Sequence, residues 1–221
     1  MQSDQVVREQ IMQNEQGDVL RLLSGRDGHF RMESGHHGDR WLDLETLCFN
    51  VFACEQMAIR LCTRLAGHEI DAVCGPLVEG AFVALMVAEE LVLPFTYSAP
   101  SEAPAGDRLF PVKYRIPNPL RPKLKGRRVA VVNDVIGAGS AVRGTLDDLR
   151  VCGAKVVVIG SLAVVGDAAD KLAEENDVPL ETLARIKSGI WAPNECPLCA
   201  QNVPLTNPQD TDASGGGASA R

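Results

Sequence analysis

The chain has 221 residues, 45% hydrophobic and 23% charged, which suits one packed α/β domain and is not the composition of a disordered protein. The 29 acidic residues outnumber the 22 basic ones, and the net charge of −7 disfavours general binding to nucleic acid. No stretch approaches the roughly 18 apolar residues of a membrane span, and the polar start lacks the apolar core of a signal peptide. Seven cysteines, mostly within apolar stretches, indicate reduced thiols. We therefore expect a cytoplasmic protein with no membrane or nucleic-acid partner.

The first half of the chain contains patterns typical of helices, one irregular stretch and one short strand. In chain order the predictions are a helix over 3–23, an irregular Gly- and His-rich stretch over 25–38, a helix from 44 to about 67, a strand over 71–74 that breaks at Gly75-Pro76, and a helix from Gly80 to about 91.

The second half alternates strands with helices after one long connection. In chain order the predictions are a strand over 93–97, a polar connection over 98–126, a buried strand over 127–132, a glycine-rich turn over 136–141, a helix over 142–149, a strand over 156–165, a helix over 167–176 and a last strand over 178–183.

Apolar strands that alternate with helices predict a central, mostly parallel sheet covered by helices on both faces. In such sheets, ligands bind beyond the carboxyl ends of the strands. The turns after the strands at 71–74 and 127–132 should therefore face one crevice.

The turn after the strand at 127–132 has the composition of a phosphate cradle. Asn133 and Asp134 stand at the strand tip, and glycines let backbone N–H groups approach one point at the start of a helix. The small residues of this turn are Gly137, Ala138, Gly139, Ser140 and Ala141.

Two other interpretations of this turn are possible from local composition. It could be an ordinary strand-to-helix turn in which glycines only permit tight packing. It also resembles the first half of a dinucleotide-binding G-x-G-x-x-G motif, but Val142 replaces the third glycine and a polar pair at the strand tip is foreign to that pattern.

The segment 133–141 resembles the D-D-V-I-T-A-G-T-A form of the phosphoribosyl diphosphate (PRPP) motif in type I phosphoribosyltransferases, the form typical of orotate phosphoribosyltransferases. Three further segments resemble that family in the same order along the chain. They are the hood pattern F-x-L-x-S-G-R-H-S at 29–43, the pyrophosphate loop G-P-x-x-G-G at 71–81, and the C-P-L-C tail of one subgroup at 191–205.

The resemblance implies transfer of ribose 5-phosphate from PRPP to a base nitrogen with release of pyrophosphate. The default acceptor is orotate, which would place the reaction in pyrimidine (UMP) biosynthesis. Mg²⁺ is the implied cofactor, bound mainly through water and phosphate oxygens rather than by protein ligands alone.

The resemblance also implies the roles of individual residues. Asn133 and Asp134 belong to the catalytic centre, with Asp134 holding the ribose hydroxyls, and residues 137–141 bind the 5-phosphate. The pyrophosphate loop comprises Gly75, Pro76, Leu77, Val78, Glu79 and Gly80, and the contacts between hood and base come from Ser34, Gly35 and His36.

We expect the chain to have four parts and to form a homodimer. Residues 1–43 form an N-terminal helix and hood, 44–190 the phosphoribosyltransferase core, 191–205 a C-terminal segment packed on the hood, and 206–221 a disordered tail. The family forms homodimers, so we expect one here, with PRPP and a base acceptor as the small-molecule partners.

Several positions depart from the family pattern. Asn133 replaces an acidic residue, Gly137 replaces a threonine, and Glu33 stands where a lysine is frequent. The stretch 163–166 lacks the arginine that orotate enzymes commonly have there. Two accounts remain open: a phosphoribosyltransferase with an altered acceptor, or a PRPP-binding paralogue or regulator without turnover.

The long connection lacks the family's K-x-x-x-x-H-G loop. Lys113 and Arg115 could supply the missing cations, although a basic run of this kind is usually a solvated face. The cysteine pair Cys196 and Cys199 has the spacing of half a zinc site, but no second pair lies nearby in the sequence. Ordinary thiols are the preferred interpretation, and a metal shared across a dimer is the alternative.

Overall fold

The computed structural model describes residues 16–101 and 112–207. Residues 16–22 are helical, and the remaining elements are numbered here in chain order. The strands are β1 (Gly25–Arg31), β2 (His37–Leu42), β3 (Ala72–Pro76), β4 (Phe95–Ser101), β5 (Lys113–Arg115), β6 (Arg128–Ile136), β7 (Lys155–Val165), β8 (Leu180–Ile186) and β9 (Ile190–Trp191). The α-helices are α1 (Val51–Leu65), α2 (Glu79–Glu90), α3 (Arg121–Leu124), α4 (Ser140–Val151), α5 (Ala168–Asn176) and α6 (Pro197–Ala200), with 3₁₀ turns at Leu44–Phe49 and Pro193–Glu195.

The main sheet has six strands in the order β5-β4-β3-β6-β7-β8. Every pair in it is parallel except β4 with β5, which is antiparallel. Chain order reverses between β3 and β6, so the two strands that precede the predicted ligand turns are neighbours. This arrangement confirms the predicted α/β fold with a mostly parallel sheet, and it brings both turns to one edge.

Helices cover both faces of this sheet. On one face, Leu61 of α1 and Val83 of α2 belong to one buried apolar cluster, and on the other, Leu146 of α4 and Leu172 of α5 belong to a second. Because both faces are covered, β6 is buried along almost its whole length, which explains the apolar run over 129–132.

The hood contains a small antiparallel sheet in the order β1-β2-β9. The prediction of an irregular stretch over 25–38 is therefore wrong. The hairpin turns at Gly35, whose φ of +82° is the left-handed conformation that glycine favours, and Met32 N–H donates to the His36 carbonyl across the turn. The first four residues of β1 are exposed, so its sequence lacks the alternation of apolar and polar residues by which a half-buried strand is predicted.

The predicted helix over 44–67 is two elements, not one. A 3₁₀ turn ends at Asn50, whose side chain accepts a hydrogen bond from the Ala53 N–H at 3.2 Å and caps the start of α1. Asparagine at this position starts a new helix because its oxygen satisfies a backbone donor that has no partner within the helix.

Other boundaries differ from the predictions by a few residues. β3 continues through Gly75-Pro76 instead of ending before them, and β6 continues to Ile136. Thr206 pairs with Phe30 rather than beginning a disordered tail. Residues 3–15 of the predicted helix over 3–23, and residues 208–221 of the predicted tail, lie outside the described residues. Within the described ranges, no helix has both the length and the apolarity needed to cross a membrane.

Candidate functional site

A cleft of about 850 Å³ lies between the hood and the carboxyl ends of β3 and β6. Its floor is the end of β6 with the turn that follows, and its walls are the start of α2, Tyr114 of β5 and the hood strands. The predicted site residues that line it are Ser34, Pro76, Leu77, Glu79, Gly80, Asn133, Asp134, Gly137, Ala138, Gly139, Ser140 and Ala141. The fold therefore brings together most of the residues that the sequence motifs single out.

The turn over 137–141 presents the start of α4 to the cleft. Gly139 precedes the helix with φ of +79°, a conformation that strains any residue with a Cβ. The first N–H groups of α4 have no carbonyl partner within the helix, and the helix dipole is positive at this end. Together with the Ser140 hydroxyl, these groups form a site suited to a phosphate.

Asn133 lies behind this turn and packs against the start of α2. Its side-chain Nδ2 donates to the Val135 carbonyl at 2.9 Å, a bond that an aspartate could not make. A Cβ on Gly80 would overlap the Asn133 Oδ1, so glycine at position 80 is what lets α2 approach β6 this closely. Asn133 is thus fitted to its surroundings as an amide.

Asp134 is a buried carboxylate at the edge of the cleft. Within the described chain its Oδ2 is buried and has no hydrogen-bond partner. Burial raises the pKa of Asp134 to about 7, with the nearby Glu79 carboxylate also favouring the protonated form. A buried carboxylate oxygen without a donor is suited to a ligand that brings one, such as a hydroxyl group.

The predicted pyrophosphate loop is the end of β3 and the start of α2. Gly75 does not line the cleft. It packs under α2, where a Cβ would come within 2.5 Å of the Ala84 Cβ. Val78 is also outside the cleft lining and is exposed. Pro76 and Leu77 reach the cleft, so only part of this loop is available to a ligand.

In the hood turn, Ser34 reaches the cleft, whereas Gly35 and His36 are not among its lining residues. The His36 Nδ1 lies 3.1 Å from the Ser34 hydroxyl. Burial lowers the pKa of His36, so the neutral ring is favoured. The structure therefore places Ser34, rather than His36, against a ligand in the cleft.

Among the described residues, the cations that line the cleft come from the hood and not from the long connection. Lys113 and Arg115 are exposed and do not line it, because Tyr114 between them points inward and alternation sends its neighbours outward. Arg26, Arg31 and Arg40 line the cleft instead. The sequence argument gave Arg40 as a residue that could shape the base pocket, and it missed Arg26 and Arg31 because the β1 strand was not recognised.

Glu33 lies beside the turn over 137–141. Its carboxylate accepts hydrogen bonds from the Tyr114 hydroxyl at 3.1 Å and from the Ser140 hydroxyl at 3.2 Å. Burial and the Glu33 charge raise the pKa of Tyr114, which therefore remains a donor. An anionic group thus already bonds to the hydroxyl that a phosphate would use.

Comparison with known proteins agrees with this geometry. The model of the phosphoribosyl transferase domain matches residues 50–199. The chain belongs to this family. The match covers the main sheet, both turns that form the cleft floor and the C-terminal cysteine pair, and it confirms the family resemblance.

Curated relatives include orotate phosphoribosyltransferases. One from Caldanaerobacter subterraneus subsp. tengcongensis is 28% identical over 187 residues, covering 82% of this chain and 88% of the relative. One from Thermotoga maritima is 27% identical over 182 residues, covering 82% of this chain and 90% of the relative. This phosphoribosyltransferase therefore spans nearly the whole length of both relatives.

Solved structures include orotate and adenine phosphoribosyltransferases. The orotate enzyme from Aeropyrum pernix is 25% identical with a TM-score of 0.55, over 73% of this chain and 87% of that one. The adenine enzyme from Trypanosoma brucei, solved with AMP, pyrophosphate and ribose-5-phosphate, has a TM-score of 0.62 over 90% of this chain and 91% of that one. At 15% identity, the second likeness concerns the fold alone.

The Glu33 contact predicts that this carboxylate competes with a phosphate. Replacing Glu33 with alanine should tighten the binding of ribose 5-phosphate by roughly three- to tenfold, because Ser140 is released and a negative charge is removed. Calorimetric titration measures the change. Glu45→Ala is the matched control, since Glu45 lines the same cleft without a hydrogen bond to Ser140. Equal effects of the two variants would show that Glu33 acts only through general charge.

Proposed function

We propose that this phosphoribosyltransferase transfers ribose 5-phosphate from PRPP to orotate, releasing pyrophosphate. The observation that carries the proposal is the arrangement of an anion-binding helix start and an unpartnered buried carboxylate oxygen in one cleft. A phosphate with a sugar attached matches both features, because its phosphate fits the turn and its hydroxyl groups supply the donors that Asp134 lacks.

Each part of the cleft has a role in this reaction. The N–H groups of residues 138–141 and the Ser140 hydroxyl hold the 5-phosphate, and Asp134 accepts from the ribose hydroxyls. Pro76 and Leu77 lie beside the leaving pyrophosphate at the start of α2. The bond from ribose C1 to the pyrophosphate oxygen breaks, positive charge develops on the ribose ring, and the base nitrogen bonds to C1 as its proton passes to water or to the pyrophosphate. The protein contributes by holding the two reactants in line.

Mg²⁺ fits this cleft through its carboxylates. Asp134 has a free buried oxygen, and Glu79 lines the cleft beside it. Hard divalent cations prefer such oxygen ligands and keep several waters. Asp134 and Glu79 are the residues that would hold the hydrated ion. When bound, Mg²⁺ neutralises charge on the pyrophosphate.

The hood arginines support orotate as the acceptor. Orotate differs from uracil by a carboxylate, which requires a cation, and the family's usual arginine is absent from 163–166. Arg31 and Arg40 line the hood side of the cleft and carry that charge from a different part of the chain. The curated relatives named orotate phosphoribosyltransferases favour the same acceptor.

A comparison of acceptors tests the proposed reaction. Pyrophosphate release from PRPP and Mg²⁺ should be fastest with orotate and at least about tenfold slower with uracil, since a charged hydrogen-bonded pair contributes about 1.5–3 kcal/mol. Arg31→Gln and Arg40→Gln, assayed separately, should show which arginine carries this preference by reducing it. Adenine serves as the alternative acceptor. Faster release with adenine would reassign the base, and PRPP binding without release for any base would favour a non-catalytic paralogue.

The raised pKa of Asp134 predicts a pH dependence of PRPP binding. The ionised carboxylate accepts hydroxyl donors more strongly than the protonated form, so affinity should weaken by up to about tenfold between pH 8 and pH 6 as Asp134 gains its proton. Asp134→Asn controls for protonation of PRPP itself, and its affinity should change less over the same range. Parallel pH profiles for the two proteins would contradict the role of Asp134.

The raised pKa of Asp134 also makes the stability of the fold depend on pH. The pKa of Asp134 is higher in the folded protein than its ordinary value of 3.8, so folding favours the protonated form. The free energy of unfolding should therefore fall as pH rises from about 4 to about 7, and this fall should be smaller in Asp134→Asn. Urea unfolding at a series of pH values measures it.

We further propose a homodimer formed through the exposed apolar face beside α1 and α2. Phe49 is 94% exposed and Phe52 70% exposed, and Phe82 and Leu85 of α2 are also exposed. The 3₁₀ turn and the two helices contact one another, so these side chains belong to neighbouring elements. Large aromatic residues that are exposed in a single copy typically form the centre of an interface, where a second copy buries them.

Substitution of this face should separate the copies. Phe52→Glu should convert the dimer to a monomer, because it buries a charge against an apolar surface. Val151→Glu is the control, since Val151 is 75% exposed but lies at the end of α4 on the opposite face of the sheet. Light scattering after size-exclusion chromatography gives the masses. A monomeric wild-type protein, or a dimeric Phe52→Glu variant, would contradict the proposed interface.

A further inference from the structure

Four side chains from distant parts of the sequence converge on one point at the back of the hood. His29 lies on β1 and His37 on β2, Cys196 directly precedes α6, and Cys199 lies within it. One nitrogen or sulfur atom from each lies within 4.8 Å of the others. The two histidines are the second pair of ligands that the cysteine pair lacks nearby in the sequence.

The distances match a tetrahedral set of ligands around one metal ion. The His29 Nε2 lies 3.1 Å from the His37 Nδ1, 3.4 Å from the Cys196 Sγ and 3.7 Å from the Cys199 Sγ, and the last sulfur lies 3.2 Å from the His37 Nδ1. Metal bonds of ~2.0–2.1 Å to nitrogen and ~2.3 Å to sulfur place such ligands roughly 3.3–3.8 Å apart in a tetrahedron.

Hydrogen bonding alone does not account for this convergence. The His29 Nδ1 lies 2.8 Å from the Val203 carbonyl, an acceptor only, so this nitrogen carries the proton and Nε2 presents its lone pair. One lone pair cannot serve three neighbouring donors at once. A second hydrogen bond that fixes the ring is, by contrast, the usual support of a metal-bound histidine.

We propose that His29, His37, Cys196 and Cys199 bind one structural Zn²⁺. Two thiolates and two neutral imidazoles in a closed tetrahedral set are typical of zinc rather than of Mg²⁺ or Ca²⁺. Binding displaces one proton from each thiol, and Val203 holds the tautomer of His29. Three of the four side chains are buried, so the site has no open position for a substrate.

The ion joins the C-terminal segment to the strands that carry the cleft arginines. Without it, residues 189–206 are held to the hood by the pairing of β9 with β2 and by hydrogen bonds, among them Thr206 N–H to the His29 carbonyl at 2.7 Å and Gly189 N–H to Asp39 at 3.0 Å. Arg31 and Arg40 lie on the same two strands as the histidine ligands. Zinc thus stabilises the hood wall of the cleft, whichever base the enzyme uses.

Metal analysis of the purified full-length protein tests the proposal. Kept reduced and free of chelators, the wild-type protein should contain about one zinc per chain. Cys199→Ser should lose it, and because Cys199 is exposed the variant loses no core packing. Cys48→Ser, in a partly buried cysteine outside the cluster, should keep it. Co²⁺ in place of zinc should give the visible ligand-field bands of a tetrahedral thiolate site in wild type and in Cys48→Ser, but not in Cys199→Ser.

Two outcomes would overturn the proposal. One is zinc below about a tenth of an equivalent, both as purified and after incubation with Zn²⁺ under reducing conditions. The other is equal metal content in Cys199→Ser and Cys48→Ser. Neither outcome bears on PRPP binding, so failure here is separate from failure of the proposed function.

Thermal unfolding tests the clamping role of the ion. Removing zinc with a chelator should lower the Tm of wild type by roughly 5–10 °C, because the ion binds the folded hood and not the unfolded chain. The same chelator should leave the Tm of Cys199→Ser unchanged. An equal shift in both proteins would show that the chelator acts elsewhere and would contradict the clamp.

Discussion

The site depends on the burial of one carboxylate, Asp134, at the end of a central strand. Desolvation makes its ionised form costly in the free protein, and its Oδ2 has no donor among the described residues. A ligand that supplies hydroxyl donors or a hydrated cation offsets that cost. The ionised Asp134 carboxylate is therefore more stable in a complex than in the free protein. The neighbouring helix start adds positive potential for a phosphate. The sheet order places both features against α2, because β3 and β6 are neighbours.

The hood provides the opposite charge and controls access. Arg26, Arg31 and Arg40 line the hood side of a cleft that also contains Asp134 and Glu79, while Glu33 bonds to Ser140 at the start of α4. A substrate with two separate anionic groups would displace Glu33 at one end and meet the arginines at the other. The proposed zinc ion joins the same two strands to the C-terminal segment. The small hood sheet therefore carries both the arginines that line the cleft and two of the proposed zinc ligands.

Local patterns predicted the main sheet and the cleft floor. β6 and its turn were readable because a buried strand, a polar tip and a glycine-rich helix start follow one another within 14 residues or so, and their geometry is set by neighbours in sequence. The hood strands were not predicted, because β1 is mostly exposed, β2 lacks apolar alternation and β9 has only two residues. His29 and Cys196 are 167 residues apart, so only the fold brings them together. The prediction that Lys113 and Arg115 line the cleft is wrong because Tyr114 between them faces inward. Alternation along a strand is regular, but the sequence of three residues does not show which of them faces inward.

The central claim is that the turn over 137–141 binds the phosphate of PRPP beside Asp134. Calorimetric titration with PRPP and Mg²⁺ tests it most directly when wild type is compared with Gly139→Val. Gly139 has φ of +79°, where a β-branched residue is strained, and its Cβ would come within 3.2 Å of the Leu172 Cδ2. The account predicts one PRPP per chain in wild type and a loss of at least about tenfold in affinity in Gly139→Val with an unchanged circular dichroism spectrum. No heat with wild type, or equal affinity in both proteins, would contradict it.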